Sequence, residues 1–78
     1  MMLTMARLTQ AHVDARTGDI LAAAVALFAS RGIEKTTMAD VAAEAGISTG
    51  AIYRYFPGKE ALLAAVFERE MRDSAAQF

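Results

Sequence analysis

Thr36-Thr37-Met38-Ala39-Asp40-Val41-Ala42-Ala43-Glu44-Ala45-Gly46-Ile47-Ser48-Thr49-Gly50-Ala51-Ile52-Tyr53-Arg54-Tyr55-Phe56 reads as two short helices joined at one glycine. Thr37 with Asp40 three residues on is a short form of the capping box, aspartate standing where glutamate is usual. Met38, Val41, Ala42 and Ala45 then recur at i, i+3, i+4 and i+7, one face of a helix. Gly46 ends that helix after about two turns. Ile47 is expected to pack back, and Ser48 to cap a helix from Thr49 to Phe56. Within it Ile52 and Phe56 form an i, i+4 core pair. Thr49, Gly50, Tyr53 and Arg54 face the other way. Helix, tight glycine turn, helix over about residues 37–56 is the spacing of a helix-turn-helix.

The flanks supply the rest of a small bundle. Upstream, Ile20, Ala24, Leu27, Phe28 and Arg31 recur at helical spacing beside Leu21 and Val25. Gly32 is placed to end that helix in a left-handed conformation, with Arg31 favourable against the dipole and Ile33 as the hydrophobic residue after the cap. Downstream, Pro57-Gly58 interrupts the third helix. Lys59-Glu60 opens a fourth, with Leu62, Leu63, Val66 and Phe67 as its apolar face. Residues 1–15 carry no clean period and are expected to be a flexible arm. The domain is expected over 16–67, with 68–78 completing the fourth helix.

Composition agrees with an all-α chain and excludes several functions. Of 78 residues eighteen are alanine, one is proline and none is cysteine, which favours helix and excludes disulfides and cysteine-ligated zinc. The longest apolar run, Ile20 to Ala29, is about half of what spans a bilayer. The N-terminus has no apolar signal region, so a soluble, cytoplasmic chain without a membrane partner is expected. The one histidine, His12, lies in the arm, and no nucleophile–base pair or phosphate loop is present. Catalytic residues, metal ligands and cofactors are therefore expected to be none, and the chain is not expected to be an enzyme.

Net charge is −1, which by itself speaks against a nucleic-acid binder. The distribution says otherwise. Ser48 to Lys59 contains Arg54 and Lys59 and no acidic residue. The hydroxyl side chains lie where unpaired backbone N–H groups favour phosphate. Gly50 permits close approach to a surface, and Tyr53 and Tyr55 offer phenolic donors. A helix of this length fits a major groove about 12 Å wide. Singly, Ser48 is equally an N-cap and the tyrosines equally core; as a set behind a helix-turn geometry they point to DNA.

Residues 16–67 resemble the DNA-binding domain of the tetracycline-repressor (TetR) family of bacterial transcription regulators. The resemblance runs through Arg16, Ile20-Leu21, Ala23-Ala24, Leu27-Phe28 and Gly32. It continues through Thr36-Thr37-Met38-Ala39-Asp40-Val41-Ala42 and Ala45-Gly46-Ile47-Ser48. Its most specific stretch is Ser48, Gly50, Ile52-Tyr53, Tyr55-Phe56, Lys59-Glu60 and Leu62-Leu63. It implies an all-α, homeodomain-like bundle of three to four helices, the fourth leading toward an absent C-terminal domain. It implies Thr49, Gly50, Ala51, Tyr53 and Arg54 at the groove, and Thr37, Ser48, Tyr53, Tyr55 and Lys59 on phosphates. Arg54 has base contact, phosphate contact and solvation all open to it. The partner implied is a double-stranded DNA operator, with nucleoid association when bound. The family also implies a homodimer and a small-molecule effector, in a ligand-responsive repressor. Both depend on a second domain, so the 78-residue chain is expected to be a fragment whose dimerisation is doubtful. A rival is a helical interaction module using the face of the fourth helix.

Overall fold

The computed structural model describes the backbone of residues 2–76 and the side chains of residues 15–72. Among the described residues four helices follow one another: α1 Met2–Arg31, α2 Met38–Ala45, α3 Thr49–Tyr55 and α4 Lys59–Ala76. The boundary expected after residue 15 is not a boundary in the backbone, because α1 runs through it. No proline and only one glycine, Gly18, interrupt the helix-forming residues along that length, so nothing local stops the helix. The third helix ends one residue before the expected Phe56. Phe56 is its extended C-cap, at φ −137° and ψ 123°, as the following Pro57 requires.

Glycine and hydroxyl residues set the joints. Gly32 sits at φ 88° and donates its N–H to the Phe28 carbonyl at 2.9 Å, closing α1. Ile33, expected to pack behind that cap, is instead 41% exposed. The inward position of this turn goes to Thr36, which is fully buried and donates its hydroxyl to the Gly32 carbonyl at 2.8 Å. Gly46 sits at φ 77° in the left-handed region. Its N–H donates to Ala43 at 3.1 Å and that of Ile47 to Ala42 at 2.9 Å, the paired bonds of a Schellman cap. Both N-caps form as the sequence indicates. Thr37 and Asp40 exchange reciprocal bonds of 3.0 and 3.1 Å, and Ser48 Oγ accepts from the Ala51 N–H at 3.1 Å.

The core draws on all four helices. Ile20, Leu21, Ala23, Ala24 and Leu27 come from α1, and Met38, Val41 and Ala42 from α2. Ile52 comes from α3, and Leu62 and Val66 from α4. Val25, Phe28, Ala45, Ile47, Tyr55 and Phe56 pack around its edge. Helix α2 rests on α1 and α3, whereas α4 rests chiefly on α1. With α1 as its main neighbour α4 buries a narrow stripe, Leu62 and Val66, extended by Arg69, whose Nη1 donates to the Gly18 carbonyl at 3.3 Å. The face expected for α4 is therefore only half used. Phe67 is 60% and Met71 71% exposed, because both lie one step around the helix from that stripe.

Candidate nucleic-acid interface

The helix-turn-helix unit is α2, the Gly46–Ile47 turn and α3. Ile52, fully buried, and the half-buried Phe56 anchor α3 to the core from one side. That fixes what the other side presents: Thr49, Gly50, Tyr53 and Arg54 are all exposed. Ala51 is half-buried, on the flank of this face. The side chain of Tyr53 is available to a partner, with the residue 49% exposed. At Gly50 an added Cβ would meet nothing within 4 Å, so the protein itself does not require glycine there.

Two of the expected phosphate-facing residues double as caps. The hydroxyls of Thr37 and Ser48 accept backbone N–H bonds, and each keeps its O–H proton as a donor. Both residues are exposed. Tyr55 and Lys59 stand differently. Tyr55 is half-buried and packs against the core. Lys59 turns its ammonium onto the loop between α1 and α2, donating to the carbonyls of Ile33 at 2.8 Å and Thr36 at 2.9 Å. The structure thus assembles Ser48, Thr49, Gly50, Ala51, Tyr53 and Arg54 on α3 and its cap, with Thr37 at the start of α2. Tyr55 and Lys59 take internal partners.

Sequence reasoning missed the side-chain ties of this unit. Arg31 Nη1 reaches Asp40 Oδ2 at 3.3 Å, linking the end of α1 to the cap of α2. The Asp40 carboxyl is held below its usual value, first by the Thr37 backbone N–H, then by the Thr37 side chain, with the Arg31 charge a smaller cause. The Lys59 contact had one legible signal: a cation as first residue of a helix opposes the dipole, so it needs another partner. Among the described residues no cluster of three acidic, histidine or cysteine side chains is placed to hold a metal. Two open surface depressions lie along α1, one against Glu44 and Ala45, the other against Arg69 and Glu70, and neither touches α3. No described helix is long and apolar enough to cross a membrane.

A short helix seated on a core by two residues, with a polar, carboxylate-free outer face and a glycine turn behind it, defines a helix-turn-helix protein. Residues 20–66 match the family model described as bacterial regulatory proteins, tetR family, and the chain belongs to that family. It is 40% identical over 62 residues to the HTH-type transcriptional regulator YfiR of Bacillus subtilis, covering 80% of this chain and 30% of the relative. It is 43% identical over 52 residues to the HTH-type transcriptional repressor KstR2 of Mycobacterium tuberculosis, covering 67% and 26%. With the HTH-type transcriptional regulator TtgR of Pseudomonas putida it shares 38% over 64 residues, covering 82% and 30%. The chain thus spans less than a third of the length of these relatives. No solved structure matches it significantly.

Proposed function

We propose that this chain binds double-stranded DNA sequence-specifically, as the reading portion of a bacterial transcription regulator, with α3 in the major groove. The observation that carries this is the outer face of α3: Thr49, Gly50, Tyr53 and Arg54 exposed together, in a segment without a carboxylate. Thr37, Ser48 and Tyr53 donate to phosphates and set register; Arg54 and its neighbours, Ala51 included, meet base edges. Arg54 suits guanine, whose O6 and N7 accept both arms of a guanidinium. Arg54→Ala is expected to cost about 1–3 kcal/mol on the preferred site and to relax preference at one base pair. Selection of bound sequences from a random pool tests this: an identical sequence logo for parent and variant removes Arg54 from base readout.

The relatives support the wider setting. KstR2 is named a repressor. We assign to the full-length regulator the same sign of action, a homodimer on half-sites about 34 Å apart, a small-molecule effector and a cytoplasmic, nucleoid-associated location. On its own the 78-residue chain is expected to bind single half-sites weakly. A tight dimer in sedimentation, with nanomolar affinity, overturns that expectation.

A second reading rests on exposed Phe67 and Met71, which give α4 an apolar outer stripe suited to a protein partner. Arg54→Glu separates the two. It abolishes DNA binding and leaves association through α4 intact.

A further inference from the structure

The chain has two lysines, Lys35 and Lys59, and the fold brings both to one turn. That turn is Ile33 to Thr36, closed by the Thr36 N–H on the Ile33 carbonyl at 3.3 Å, with Glu34 and Lys35 at its corners. Lys59 braces it, donating from its ammonium to the carbonyls of Ile33 at 2.8 Å and Thr36 at 2.9 Å. Two of the three ammonium donors are thereby used, which leaves the third for a phosphate, the partner that the family resemblance implies for Lys59. Thr36 anchors the other end. It is fully buried, its hydroxyl is fixed on the Gly32 carbonyl at 2.8 Å, and its successor Thr37 is the N-cap of α2. The turn is thus ordered before any partner arrives, so little backbone freedom is left to lose at its corners on binding.

Lys35 is the cation that this turn presents. It is exposed, and among the described residues no carboxylate lies within ion-pair distance of it. The other cations near it are engaged: Arg31 pairs with Asp40, and Lys59 holds the turn. Lys35 also stands two residues before Thr37, one of the phosphate donors proposed above. Glu34, exposed at the neighbouring corner, cancels the charge of the turn at a distance, so Lys35 acts by contact or not at all.

We propose that Lys35 is a further contact to the DNA backbone, its ammonium neutralising a phosphate beside those met by Thr37 and Lys59. The inference rests on the function proposed above and extends the DNA-facing surface from α3 and the head of α2 to the turn before α2. Such a contact adds affinity and fixes register without reading sequence.

The test compares the parent with Lys35→Gln, Lys35→Arg and Arg72→Gln, the last removing the same charge far along α4. On a fluorescein-labelled mixed-sequence duplex, Lys35→Gln is expected to bind about fivefold more weakly at low salt, with a salt slope shallower by about one unit. Lys35→Arg restores both, and Arg72→Gln keeps the parent's slope. A parent-like slope in Lys35→Gln, or an equal loss of slope in Arg72→Gln, overturns the contact while the DNA reading stands. A parent that binds no duplex at all brings down that reading and the contact with it. Should Lys35→Gln fail to fold, acetylation of the parent by acetic anhydride decides. Lys35 is expected to react readily in the free protein and to be protected by the duplex; equal reactivity in both overturns the contact.

Discussion

Gly50 separates what the fold needs from what the partner needs. It lies inside α3 with an exposed position, and a methyl group there would touch nothing in the protein. Glycine in a helix is less stable than alanine by roughly 0.5–1 kcal/mol. Gly50→Ala is therefore expected to raise stability by about that amount, seen as a higher urea midpoint at unchanged slope. If α3 enters a groove as proposed, the same methyl stands between helix and DNA, and affinity falls while stability rises. A variant both more stable and equally tight on DNA removes close backbone approach as the reason for glycine. Gly46 contrasts with it. Space there is equally open, but φ is 77°, so the glycine answers a demand of the backbone.

At the scale of elements, the second helix is held by its ends more than by its length. Eight residues are too few to be stable alone, and the capping box and Schellman cap close its two ends. Asp40 joins that arrangement to Arg31. A carboxyl held below its usual value takes up its proton less readily folded than unfolded. Its contribution is complete above the ordinary value of 3.8 and is lost as pH falls through the lower, folded value. Urea midpoints followed from neutral pH downward should fall more steeply for the parent than for Asp40→Asn once pH drops below 3.8. Parallel curves mean that Asp40 does not contribute in this way. These caps were legible in the sequence because capping is local: Thr37 and Asp40, Gly46 and Ser48 carry their signals within four residues. The buried stripes of α1 and α2 were legible for the same reason, each being a period along one helix. The half-empty face of α4, the burial of Thr36 and the reach of Lys59 depend on which helices touch. Periodicity along a single helix does not encode that.

For the molecule as a whole, a chain of 78 residues has a total stability of roughly 4–12 kcal/mol. Few side chains supply it. Among the described residues, Ile20, Ile52, Leu62, Val41 and Thr36 are the largest with essentially no exposure. Leu62 is the main tie of α4 to the rest, so Leu62→Ala is expected to remove about 2–5 kcal/mol. Circular dichroism on heating should then show a transition lowered by many degrees or absent at room temperature. A melting curve like the parent's places the attachment of α4 elsewhere.

The two hydrogen bonds of Lys59 have a mechanical consequence. Leu62 and Val66 seat α4 on the core, and the Pro57–Gly58 corner joins it to α3. With the ammonium of its first residue bonded to Ile33 and Thr36, α4 is also tied to the loop that leads into α2. A twist of α4 is therefore expected to pull on the head of α2 as well as on the tail of α3.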